Sequence, residues 1–234
     1  APMLFSGSGI LSTMPSVAST TGSLTIQFLS DGDAITGPGF SALISNLPDP
    51  CPAAVLYVDA SIPSSGNGTS WATAYKTLSE ALYVANKCSN VTEVRVSQGI
   101  YYPSASDGQP TSSRDSSFRI LRDGYKITGG YNSSDERDLA FYHTILSGDI
   151  GIISDYTDNS YHVVYIAPQS GVLQMNPLLD GLTIKDGNAD GTSALVQQYF
   201  SENGGGMFND ARFSTSIFTL KEVTFTDNRA SAKG

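Results

Sequence analysis

The stretch Leu179-Asp180-Gly181-Leu182-Thr183-Ile184-Lys185-Asp186-Gly187-Asn188-Ala189-Asp190-Gly191 decides how the second half of the chain is read. Leu182 to Lys185 alternates apolar and polar side chains as a strand does, and Asp186-Gly187 ends the run with turn residues. The same order, a few β-like residues and then Gly, Asp or Asn, recurs at 94–99, 125–130, 144–149 and 223–228. Its spacing is irregular, the pattern of a degenerate repeat with loops inserted between units. One such strand cannot bury its apolar face alone, whereas coils stacked on one another can.

Upstream, Val55-Leu56-Tyr57-Val58 reads as a short strand and 62–69 as a Gly/Ser/Asn loop. Thr77-Leu78-Ser79-Glu80 is a capping box, with Thr77 as N-cap and Glu80 three positions on. Leu78, Ala81, Leu82 and Ala85 follow at helical spacing, which predicts one short amphipathic helix ending near Asn86–Lys87. Pro48, Pro50 and Pro52 deny both helix and sheet, so 48–54 reads as a stiff linker. Before it, Leu24, Ile26 and Phe28 alternate with polar residues, Asp31-Gly32-Asp33 is a turn, and Phe40 to Ile44 is a second strand. Residues 1–47 therefore read as a partial antiparallel β-sandwich segment, and 55–234 as the stacked-coil domain.

Two resemblances follow. The run "GSLTIQFLSDGDAITGPGFSALIS" resembles the C-terminal end of a CUB domain, without the larger, earlier part of that domain. In that family the Asp of the turn, here Asp31, helps to bind calcium, and its acidic partners would lie in the missing portion. From Val55 onward, "YVDASIPSSGNGTSWATAYKTLSEAL", "GGYNSSDERD", "TILSGD", "LDGLTIKDGNADG", "GGGMFND" and "VTFTDN" resemble secreted bacterial and protist β-helix proteins. Gly204-Gly205-Gly206-Met207 and Phe225-Thr226-Asp227-Asn228 are similar to the GGA(I/L/V) and FxxN repeats of polymorphic outer-membrane adhesins. The resemblance implies an all-β fold: a right-handed parallel β-helix over 55–234, closed at its N-terminal end by a capping helix at residues 75–87.

The formal net charge of -9 argues against nucleic acid and anionic membrane surfaces as partners. No apolar run approaches the roughly 20 residues of a transmembrane helix. Residues 1–10 lack the features of a signal peptide, so a secreted chain would already have lost it. Asn67, Asn90 and Asn132 each begin an N-x-S/T sequon in a turn-like setting, which together with the Gly/Ser/Thr-rich composition favours an extracellular or cell-surface chain. In that setting Cys51 and Cys88 are expected to form a disulfide, worth roughly 3–4 kcal/mol by loop closure.

Chemistry-bearing patterns are sparse. Asp186, Asn188 and Asp190 fit the opening of a calcium loop, but Gln197 stands where such loops place a bidentate Glu, and a plain turn explains the same residues. Calcium is the one cofactor left open. Glu136-Arg137-Asp138 reads as a loop pinned by an Arg137 salt bridge. His143 and His162 sit beside β-like residues and are too few for a zinc site. Asp149, Asp180, Asp186 and Lys185 are the residues that a polysaccharide-cleaving β-helix would draw on, although no pair stands at a fixed short spacing. Tyrosines at 101, 102, 125, 131, 142, 156, 161 and 165 suit either packing or stacking on glycans.

The expectation is thus a non-enzymatic extracellular structural or adhesive β-helix, a protomer of a surface fibre or filament formed by self-association into a homopolymer. Residues 1–23, with Leu4, Phe5, Ile10 and Leu11, are the expected donor strand. The alternative is a carbohydrate-binding or polysaccharide-degrading β-helix module.

Overall fold

The computed structural model describes residues 51–104, 113–167, 174–191, 201–210 and 215–231, all within one compact unit spanning 47–234. The segment 1–47, with the expected CUB likeness, Asp31 and the expected donor strand, lies outside the described residues.

The chain is mostly β. In order come β1 (Val55–Val58), the single α-helix of the described residues α1 (Leu78–Lys87), β2 (Glu93–Ser97), β3 (Gly99–Tyr101) and β4 (Phe118–Ile120). Then follow β5 (Lys126–Tyr131), β6 (Thr144–Ser147), β7 (Val164–Ile166), β8 (Gln174–Met175), β9 (Leu178–Lys185) and β10 (Asn188–Ala189). The last are β11 (Met207–Asn209), β12 (Thr215–Ser216), β13 (Thr219–Thr226) and β14 (Arg229–Ala230). Every pairing between these strands is parallel. Parallel neighbours need long crossovers, and here the crossovers themselves carry strands. The large, curled sheet runs β1-β2-β5-β9-β6-β3 with β13 also on β9, and smaller sheets are β4-β7-β11, β8-β12 and β10-β14.

Register explains how one sheet takes in strands from five passes of the chain. Leu56, Val94, Ile127, Leu179 and Leu220 stand in one row across it. A second row holds Tyr101, Leu146, Ile184 and Phe225. These rows face the core, where Leu56, Val94, Leu146, Leu179 and Ile184 are fully buried. Tyr57, Arg95, Thr128, Asp180 and Lys221 form the neighbouring row on the opposite face. β9 covers both halves of the sheet because only Gly181 separates Asp180, aligned with Thr128, from Leu182, aligned with Thr144. The preceding pass spends residues 129–143 on the same step. Gly181 adopts φ +71, and Glu222, its counterpart in β13, adopts φ 49. A left-handed residue at this stacked corner lets each strand turn without leaving register.

Helix α1 forms as its sequence dictates. The Thr77 hydroxyl accepts the Glu80 N–H at 3.3 Å, and the Glu80 carboxylate accepts the Thr77 N–H at 3.1 Å. Such a cap is worth about 1 kcal/mol. Leu78, Ala81, Leu82 and Ala85 are buried, and the helix packs on β1, β2 and β4. At its C-terminal end Arg122 donates to the carbonyls of Ala85 (2.8 Å) and Val91 (2.7 Å), where a cation suits the helix dipole. Cys51 and Cys88 form a disulfide at the same end.

Helix α1 begins directly after the expected N-cap Thr77, and residues 66–75 before it lie along the outer edge of β1. There the Tyr57 N–H donates to Gly68 O (2.9 Å), the Tyr75 N–H to Tyr57 O (2.8 Å) and the Asp59 N–H to Tyr75 O (2.8 Å). The β1 edge is thereby satisfied by the chain itself.

Candidate functional site

The opposite side of the sheet is different. Among the described residues β13 pairs with β9 alone. Its row neighbours Leu179 and Ile184 are 0 % exposed, yet Leu220 is 37 % and Phe225 43 % exposed. Ile217, just before β13, is 56 % exposed. Residues of the rows that are core in the earlier passes are thus partly exposed on β13, the last long strand among the described residues.

A second assembly lies on the outer face of the sheet. The Asp135 carboxylate accepts from Trp71 Nε1 at 2.9 Å and from Arg95 Nη1 at 2.9 and 2.8 Å. Trp71 packs edge-on against Tyr57 with ring centres 4.9 Å apart, and Arg95 lies 5.3 Å over the Tyr131 ring. The same loop, 132–139, is pinned at its other end by Arg137. That guanidinium donates to Gly129 O (2.9 Å) and to Asp180 Oδ1 (2.7 Å), while Lys221 Nζ stands 3.3 Å from Asp180 Oδ2. A Cβ at position 181 would meet Arg137 Nη2 at 2.7 Å, so the glycine also makes room for the clasp. The Arg137 salt bridge expected from the sequence is present. Trp71, Arg95 and Asp135 were not singled out from the sequence; the lone Trp is the only signal that pointed to them.

Asp149, Asp180, Asp186 and Asp190, the described acidic residues considered for calcium or acid–base chemistry, all hold other partners. Asp149 accepts from the Ser154 N–H (3.1 and 3.0 Å), and Asp186 from the Ser147 hydroxyl (2.9 Å) and Lys185 (3.2 Å). Asn188 donates to Asp190 Oδ2 at 2.9 Å, whereas Asp190 Oδ1 is paired with Arg114. Asn188 and Asp190 are therefore together, and the Asp186 carboxylate turns toward β6 instead. Among the described residues no group of three or more His, Cys, Asp or Glu side chains is arranged to hold a metal ion. Gln197 lies outside the described residues.

The tyrosines divide by depth. Tyr101, Tyr125 and Tyr131 are buried, whereas Tyr102 and Tyr156 are exposed. Burial pushes the Tyr101 hydroxyl up to about 12, and it bonds Ser97 Oγ at 2.9 Å beside the buried Asp59. Arg119, Tyr165 and Phe208 stack across β4, β7 and β11, in register.

His143 is exposed, whereas His162 is buried, with Nδ1 3.1 Å from Gly204 O and its ring 5.0 Å from that of Phe208. Burial holds this imidazole below its ordinary value, opposed only in part by the Gly204 carbonyl. The unfolded chain takes up a proton as pH falls through about 6.5 while the folded chain does not, so stability is lost below that pH. Urea midpoints at about pH 7.5 and 5.5 should show this loss in the native chain and a smaller one in His162→Gln, which keeps a donor for Gly204 O. An equal loss in both would assign the acid sensitivity elsewhere.

No protein-family model, no curated protein and no solved structure matches the chain. Among the described residues no helix is long and apolar enough to cross a membrane.

Proposed function

We propose that residues 55–234 form a right-handed parallel β-helix that serves as an extracellular structural module and self-associates into a fibre. The observation that carries this reading is the parallel, in-register stacking of successive passes of the chain, from β1 through β2, β5 and β9 to β13. Recurrence of the pairing supports the helical winding: the Asp180 and Gly187 sites meet Lys221 and Asn228, each 41 residues on. The disulfide and the exposed side chains of Asn67 and Asn90 agree with an oxidising, extracellular setting.

The two sides of the sheet are not equivalent, which bears on how copies would join. With β1 covered by residues 66–75, one copy cannot stack its β13 directly on the β1 of another. The apolar residues of 1–23 in a second copy supply the strand instead, a head-to-tail contact that does not close and so propagates. Electron microscopy of the intact chain should show fibres, and deletion of residues 1–23 should abolish them. Fibres unchanged by the deletion would remove the donor, and a monomer at high concentration would remove the self-association.

A further inference from the structure

The three sequons present their reactive atoms very differently. N-glycosylation needs the side-chain amide nitrogen of Asn. Asn67 is exposed, and its Oδ1 accepts from both the N–H and the hydroxyl of Thr69, at 3.2 and 2.9 Å. Its Nδ2 makes no hydrogen bond among the described residues. Asn132 is the opposite case. Its Nδ2 donates to Glu136 Oε2 (2.7 Å) and to the Tyr142 hydroxyl (3.0 Å), while its Oδ1 accepts from the N–H groups of Ser134 (2.9 Å) and Glu136 (3.0 Å). Both amide hydrogens at Asn132 are spent on holding the 132–142 loop. Asn90 is intermediate: its Nδ2 donates once, to Cys51 O at 3.0 Å.

We infer that Asn67 is an N-glycan acceptor and that Asn132 stays unmodified, its carboxamide serving as the keystone of the loop. This rests on the extracellular reading. In the transfer, Asn67 Nδ2 forms a bond to the anomeric carbon of a polyprenyl-diphosphate-linked oligosaccharide. The bond from that carbon to the diphosphate oxygen breaks, Nδ2 loses one proton to a base of the transferase, and the polyprenyl diphosphate leaves. A substituted Nδ2 keeps a single hydrogen. At Asn67 no contact is lost, whereas at Asn132 one of two would be.

The backbone around Asn67 is shaped for display. Gly68 has φ +73, and a Cβ there would fall 2.1 Å from the Tyr75 ring. Glycine is thus required between the Asn and the Thr for this loop to lie on β1 with Asn67 turned outward. A sugar here would stand on the segment that already covers the β1 edge. It adds bulk to the closed side of the sheet and none to the β13 side.

The experiment is site-resolved occupancy of the full chain secreted from a eukaryotic host behind an added signal. Release of glycans by peptide N-glycosidase in heavy-oxygen water labels each formerly occupied Asn as Asp. Label at residue 67 and none at 132 is the expected result, with the residue 67 label lost in Thr69→Ala. Label at 132, or none at 67, overturns the inference. Because secretion is imposed by the host and fibre formation is read separately by microscopy, either outcome leaves the self-association test standing on its own. A second arm guards the Asn132 assignment. Asn132→Gln should speed proteolysis within 133–143 several-fold while Asn67→Gln leaves it unchanged, and equal rates would end the keystone role.

Discussion

Replacing both Cys51 and Cys88 by Ala should lower the unfolding free energy by about 4 kcal/mol, the chain-entropy value for a loop of this length. The two cysteines are 37 positions apart, and the loop between them contains β1, the 66–75 segment and all of α1. In the oxidised chain this closed element confines the unfolded ensemble. In the folded chain it holds the helix end, already bound by Arg122, against the start of the domain. Urea denaturation of the oxidised chain and of the double variant gives the comparison directly. A difference below about 1 kcal/mol would mean that the reduced element keeps its order in the unfolded state.

A second large effect is expected at Leu179, and its contrast with Leu220 is the informative part. The two residues are paired neighbours in one row of the sheet, on β9 and β13. Leu179 is fully buried and Leu220 is not. Leu179→Ala removes packed methyl groups and leaves a cavity, at a cost of about 2–5 kcal/mol. Leu220→Ala in the monomer should cost less than about 0.5 kcal/mol, as surface changes do. Should the native chain assemble through β13, the order changes in one respect only: Leu220→Lys abolishes assembly while leaving the thermal midpoint of the monomer unchanged. Equal destabilisation by Leu179→Ala and Leu220→Ala would show that Leu220 is covered within the chain, and assembly through β13 would fall with it.

Legibility in the sequence followed the range of the interactions. The capping box at Thr77 and Glu80 and the apolar spacing of α1 are local, so the helix was readable almost to the residue. The alternating halves of strands, Leu182–Lys185 and Thr144–Ser147, were readable for the same reason. Leu178–Asp180 was not, because Asp180-Gly181 has the composition of a turn. In the fold it is one left-handed corner inside a continuous strand. Strands of two residues, such as Gln174–Met175 and Asn188–Ala189, are too short for any periodicity to show. They exist because the next pass of chain aligns with them. The Trp71–Asp135 and Arg95–Asp135 contacts join residues 64 and 40 positions apart, beyond what a single sequence can pair. The partial exposure of β13 was the least legible feature. Leu220 has the same side chain as Leu179, and only the lack of a described neighbour beyond β13 sets them apart.

The stacked corner at Gly181 and Glu222 bears on how this architecture tolerates change in length. One pass crosses it with a single residue, and another leaves at Gly129 and returns at Thr144 without disturbing the rows on either side. Ladder spacing and excursion length are therefore decoupled at this point. The corner acts as an insertion port, where a segment can be lengthened, exchanged or displayed while the register of the scaffold is inherited intact from the passes above and below.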